Sequence, residues 1–223
     1  MDDMNLTQRW VEVFNDSVLK TEEQTGIPSS EWKTAGRKTA LRPDGEDLAF
    51  WQSDGLKQVE SYLKWYESSG WQIATMPDGR PGIEWAADVT FGGTPVRFIV
   101  DAIYKVGEDY VIVDYKTGSR TPFGAIQAGL YAAGIERTMG IRPKWGAFFM
   151  TRQGTLGDLI NLDHLTMDYF DYVFGAMNHS VMAGIFPPSV GDSCRMCSFV
   201  DKCPAMGQTG FIPLNTINRK ESK

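Results

Sequence analysis

Asp114 and Lys116 close a run of apolar and aromatic positions, "YVIVDYKTG", from Tyr110 to Gly118. Side chains two apart on a strand share a face, so the acid and the lysine project together. Asp101 lies thirteen residues upstream in a second apolar stretch, "FIVDAIY". A hairpin turning at "GED" would bring the two acids to one end of a sheet. Glu84 stands at the start of the preceding β-rich segment, "EWAADVTF". Carboxylates gathered with an ammonium at one sheet edge repel one another, and each buried ion demands compensation. A divalent cation resolves this. Hard oxygen ligands suit Mg2+ or Mn2+, which also accept a substrate phosphate. Such an ion activates a water and neutralises charge building on the phosphate. A lysine can orient the same water or offset the same charge. These are the parts of phosphodiester hydrolysis. An isolated D-x-K is more often a surface ion pair on a hairpin. The apolar lead into Asp114, the matching strand around Asp101 and the helix after Lys116 favour a site here.

The elements that must position these residues are read from periodicity. Residues 4–25 read as a helix, with Leu6, Trp10, Val13, Phe14, Val18 and Leu19 spaced for one, and "TGIPSS" stops it. A second helix runs from about Leu48 to Ser68, before Gly70. From Trp71 the period becomes that of strands. "WQIAT", "IEWAADVTF", "TPVRFIVDAIYKV" and "DYVIVDYKT" are separated by turn signals and read as an antiparallel meander. "PFGAIQAGLYAAGIERTMG" is a helix, "KWGAFFMTR" a buried strand, and "TMDYFDYVFGAMNHSVMAGIF" a long amphipathic helix. The expected architecture is α/β, a mixed sheet flanked by helices. Residues 1–70 form a helical N-terminal part of the same domain, 71–186 the core, and 187–223 an appendage ending in a basic tail.

In the helix after Lys116, Gln127 and Tyr131 are four apart and share a face. There Gln127 would hold a phosphate or a water, and Tyr131 would stack or bond to the strand. "VDYKTG" followed by "QAGLYA" resembles the RecB-type branch of the PD-(D/E)XK nucleases, over about residues 80–205. The resemblance implies a restriction-endonuclease-like core and a metal-dependent deoxyribonuclease, an exonuclease acting on DNA ends or single strands. By the same resemblance Asp101 matches the first acid, Asp114 and Lys116 the central pair, Gln127 and Tyr131 the helix motif, and Glu84 the upstream Glu. Glu84, Asp101 and Asp114 would then hold Mg2+ or Mn2+. Many relatives carry a metal-binding His in an early helix. Here the two histidines, His164 and His179, come late. "RFIV" also replaces the Gly-containing lead-in before the first acid.

The three cysteines fall in "CRMCSFVDKC", as Cys194, Cys197 and Cys203. An odd number at C-x2-C-x5-C spacing argues for a metal rather than a disulfide framework. The cluster resembles the iron–sulfur branch of the family, found among CRISPR-associated and phage exonucleases, in which a further N-terminal cysteine completes a [4Fe–4S] cluster. This chain has no N-terminal cysteine. A non-cysteine ligand such as His179 or an Asp completes an iron–sulfur or Zn2+ site, or the triad is a relic held by packing.

The net charge is −6, which argues against a broad nucleic-acid footprint but not against a local basic groove. Candidate phosphate contacts are Lys33, Arg37, Lys38 and Arg42, with Arg120 just past the site. Trp32 and Trp51 are candidates to stack on bases of a single strand. DNA is the expected partner, alongside proteins of a recombination or replication complex. No apolar run approaches the roughly 20 residues that span a bilayer, and "MDDMNLTQRW" is too acidic and polar for a secretory signal, so the cytoplasm is expected. Two other readings compete: a nuclease fold kept as a catalytically inactive DNA-binding or assembly module, and a zinc-bearing structural protein in which D-x-K is incidental.

Overall fold

A computed structural model of the chain describes residues 5–34, 36, 38–40, 43–118, 121–122, 124–203 and 205–206. Helix α1 spans Leu6–Thr25 and α2 spans Leu48–Ser69. Both have the end signals their sequences carry. The Asn5 side chain accepts from Thr7 N–H and the Asp47 side chain from Phe50 N–H, each satisfying an orphan donor of the first turn. Gly26 and Gly70 close the two helices in the left-handed conformation.

The sheet is built from β1 (Gln72–Ile73), β2 (Ile83–Phe91), β3 (Thr94–Val106), β4 (Asp109–Lys116), β5 (Trp145–Met150), β6 (Thr155–Leu156) and β7 (Ile160–Asn161). Strands β2, β3 and β4 form the expected antiparallel meander, and β5 joins β4 in parallel. β1 departs from expectation. It pairs with β3, at Gln72↔Lys105 and Ile73↔Tyr104, not with its sequence neighbour β2. The long β3 makes this possible, because β2 occupies its first half and leaves the far end of that edge open. The parallel step from β4 to β5 is made through α3 (Ile126–Met139), and α4 (Met167–Met182) comes after the last strands.

Two apolar clusters cover the two faces of the sheet. One gathers Trp85, Phe91, Phe98, Val100, Ile103 and Ile112 with α3 and α4. The other gathers Ala102, Tyr104, Val111, Val113 and Phe149 with Tyr62, Trp65 and Tyr66 of α2. Helix α3 approaches closely because it is built from small residues. A Cβ on Gly134 would stand 2.4 Å from the Phe98 ring, and one on Gly129 2.2 Å from Leu165. The β2–β3 turn is equally tight. Gly92 and Gly93 both have positive φ, as the favoured two-residue hairpin requires, and a Cβ on Gly92 would lie 2.2 Å from the Asp171 carbonyl oxygen of α4.

Strand β3 changes face part-way along. Val100 belongs to the α3–α4 cluster and so does Ile103, whereas Ala102 and Tyr104 belong to the α2 cluster. Strict alternation cannot give that pattern. The phase reverses between Val100 and Ala102, at Asp101. Strand β2 reverses at the matching place, at Glu84, whose φ of 46° is the one positive value among the described non-glycine residues. An L-residue adopts this conformation at a cost.

Candidate active site

The registers align the acids. Glu84 and Asp101 fall opposite one another, between the pairs Ile83↔Ala102 and Trp85↔Val100. Extending Ala102↔Val113 by one step sets Asp101 beside Asp114. Three acids therefore form a row across β2, β3 and β4, where two of those strands reverse phase. The Asp101 carboxylate takes a ladder role there. Its Oδ2 accepts from the backbone N–H of Tyr115 at 2.9 Å, which ties β3 to β4 by a side chain.

Asp114 is only 5% exposed. Its Oδ2 lies 2.5 Å from Lys116 Nζ, yet no donor approaches that buried oxygen along a hydrogen-bonding direction. Burial pushes the Asp114 carboxyl above the usual carboxylate range; Lys116 opposes the rise, and the negative charge of Asp101 adds to it. Such a carboxylate wants a cation. Lys116 is 30% exposed and lies 5.9 Å from the centre of the Phe148 ring. Gln127 Nε2 donates to Tyr131 Oη at 2.7 Å, joining the two helix-motif residues, and Tyr131 stacks on Phe98 at 5.7 Å.

The expected metal ligands are adjacent but not drawn in around one point. Among the described residues no three His, Cys, Asp or Glu side chains are close enough to hold a metal ion. Glu84 is exposed, and one Asp101 oxygen is engaged with Tyr115. Even so, a buried carboxylate at Asp114 with a second acid, Asp101, in the neighbouring register position fits a hard divalent cation. The cysteines fit less well. Cys194 and Cys203 are partly covered and Cys197 is exposed; all three are free thiols lining one cavity of about 390 Å3, without converging on a common point. His179 is exposed in the last turn of α4. This geometry assigns them neither a cluster nor a zinc ion.

Of the candidate phosphate contacts, Lys33 and Lys38 are exposed. Lys33 lies with Trp32 and Trp51 along a groove of about 380 Å3 at the start of α2. Arg37, Arg42 and Arg120 lie outside the described residues, as does the basic tail.

The scaffold behind Lys116 is a feature that sequence patterns miss. Thr151 N–H donates to the Lys116 carbonyl at 3.0 Å, and Arg152 Nε donates to the Thr117 carbonyl at 2.5 Å. Arg152 also forks onto Glu46 at 2.9 and 2.8 Å. The buried Gln58 of α2 accepts from the Thr151 hydroxyl at 2.5 Å and donates to Asp54 at 2.7 Å. The end of β4 is thus fastened to β5, to α2 and to the segment before α2. The polar Gln58 on an otherwise inward-facing helix surface is the only signal of this in the sequence.

A fold with this acid row, a D-x-K at the end of its central strand and Gln127–Tyr131 on the next helix defines a nuclease class. The family model of the PD-(D/E)XK nuclease superfamily matches residues 8–204, and the chain belongs to that superfamily. The match begins inside α1, so the N-terminal helices are part of it. The chain is similar to the Gene 69 protein of Mycobacterium phage D29, 31% identical over 205 residues that cover 88% of this chain and 72% of that one. The Gene 69 protein of Mycobacterium phage L5 is 28% identical over 175 residues, 67% of this chain and 60% of its own length. A solved structure titled for SSO0001 covers 90% of this chain and 83% of its own at 13% identity and a TM-score of 0.38, a likeness too distant to bear on the chemistry.

Proposed function

We propose that the chain is a metal-dependent deoxyribonuclease that hydrolyses phosphodiester bonds in DNA, acting as an exonuclease on ends or single strands. The observation that supports this most directly is Asp114: a buried carboxylate at the end of β4, set beside Asp101 and in ionic contact with Lys116. When bound, Mg2+ or Mn2+ supplies an activated water and neutralises charge on the phosphate. Asp114 and Asp101 would hold it, and Glu84, opposite Asp101 in the register, would be the third ligand. Lys116 orients the attacking water and offsets the charge on phosphorus. Water adds to phosphorus, one ester P–O bond breaks, and the leaving oxygen takes up a proton. The Tyr131 hydroxyl accepts from Gln127 and so keeps its own proton to donate, which lets the pair steady a water or a phosphate oxygen. Lys33 and Lys38 hold the backbone further along.

The phage relatives support a setting in the cytoplasm of an infected cell; a place in recombination, repair or related DNA processing follows from the proposed cleavage alone. No helix among the described residues is long and apolar enough to cross a membrane.

The test is incubation of end-labelled single- and double-stranded DNA with Mn2+ and purified protein. Wild type releases nucleotides, while Lys116→Ala and Asp114→Ala lose the activity by at least about a hundred-fold. Wild type that binds DNA and cuts no form of it would sink this reading. The spacing of the carboxylates would then be read as that of a fold kept for binding alone.

A further inference from the structure

A cavity of about 470 Å3 opens at the end of β4, between the first two helices and the sheet. Its walls are almost wholly apolar: Trp10, Trp51, Val59 and Tyr62 from the helices, Ile83 and Tyr115 from the strands. Two of its polar lining residues, Gln58 and Thr151, are already bonded to one another. The site proposed above does not use this space, yet both are built on the end of β4. Tyr115 and Thr117 line the cavity, and Asp114 and Lys116 alternate with them along the same strand; Ile83 lines it, and Glu84 is the next residue. Consecutive strand side chains point to opposite faces, so the two can meet only where the strand ends, past Lys116. The cavity and the reacting groups therefore lie back to back around one strand end.

An apolar slot with aromatic walls has nothing to offer a phosphate. It suits a flat, aromatic ligand with few polar atoms to satisfy. Beside a centre that cleaves a sugar–phosphate backbone, the group of that description is the nucleobase attached to it. We propose that the cavity receives one unstacked base of a single-stranded DNA end, with the phosphate of that nucleotide lying toward Asp114 and Lys116. This rests on the nuclease reading and narrows its substrate. A paired, stacked base cannot enter without being pulled out of the duplex, so the slot selects single strands and frayed ends. Trp51 is shared between this cavity and the groove that contains Trp32 and Lys33. That sharing gives the rest of the strand a path with stacking surfaces and a cation, the usual combination for single strands.

The experiment reads binding with cleavage switched off. Asp114→Asn protein in Mg2+ is titrated with fluorescent single-stranded oligonucleotides that are intact or lack the base of the terminal nucleotide at one end. For one of the two ends the abasic form binds about ten-fold more weakly, and 2-aminopurine at that position is quenched on binding. Val59→Phe fills the cavity from α2 and Ile83→Trp plugs its mouth. In either, provided it melts cooperatively, intact and abasic strands bind alike. Equal affinity for intact and abasic strands at both ends overturns the proposal, as does a difference that survives both fillings. Base-dependent binding by a wild type that cuts nothing would sink the nuclease reading and leave the slot standing. Cleavage without base dependence would do the reverse.

Discussion

Arg152 is the strut behind the end of β4, and its removal tests the scaffold directly. Its guanidinium makes two charge-assisted bonds to Glu46 and one to the Thr117 carbonyl, and lies 5.0 Å from the centre of the Trp51 ring. The two side chains are 23% and 12% exposed. Breaking a fully buried pair costs about 3–5 kcal/mol, and exposed pairs are worth less than about 1 kcal/mol. This pair is closer to the buried limit, so Arg152→Ala costs about 2–3 kcal/mol. At about 0.5 kcal/mol per degree for a chain of this length, that is a fall in Tm of about 5 °C. Urea unfolding of wild type, Arg152→Ala, Glu46→Ala and the double variant closes a thermodynamic cycle. Residues that act as one unit show a coupling above about 1 kcal/mol. Because the strut anchors the residue after Lys116, single-turnover cleavage by Arg152→Ala falls about ten-fold as well. Additivity of the two single changes within about 0.5 kcal/mol would refute the pairing. Unimpaired cleavage in a variant whose Tm has fallen would refute its hold on Lys116.

Three other sites make equally definite demands. Burial outweighs Lys116 at Asp114, so the folded state favours its protonated form and ionisation above the ordinary carboxylate range costs stability; Asp114→Asn should raise Tm at neutral pH in calorimetry, and added Mn2+ should raise that of wild type but not of the variant. Asp171 is pulled down to about 2, first by its bonds to Arg137 and then by the Gly92 N–H. Its stabilisation is complete above the unfolded carboxylate pKa and fades as pH falls toward 2. With a side chain 37% exposed, Asp171→Asn should cost about 1 kcal/mol at pH 7 after screening and almost nothing at pH 2, measured by urea unfolding across that range. Gly92→Ala combines a φ of 52° with a backbone clash and should cost about 3 kcal/mol, read as a Tm loss of about 6 °C.

The parts of the molecule that are legible in the sequence are those whose signals are local. The apolar run ending in Asp114 and Lys116 marks β4, the four-residue spacing of Gln127 and Tyr131 marks their shared face, and the stops at "TGIPSS" and Gly70 mark the ends of α1 and α2. What escapes depends on partners distant in the chain. The pairing of β1 with the far end of β3 comes from the unequal lengths of β2 and β3, which no local pattern encodes. Strands of two residues, such as β6 and β7, are too short to show a period. Arg152 reads as the last residue of the strand "KWGAFFMTR" until Glu46 is brought to it. The reversals at Glu84 and Asp101 look in sequence like imperfect alternation.

Those reversals decouple the chemistry from the architecture. A side chain at a phase change belongs to neither apolar layer, so its identity is released from the demands of packing. Glu84 can be exchanged for another polar residue with little penalty to the layers on either side, and Asp101 for one that still accepts from the Tyr115 N–H. Loss of activity in such a fold need not be loss of shape. A lineage carrying this protein could silence the cutting function in one step and retain a well-folded body able to grip DNA, and could regain it as easily.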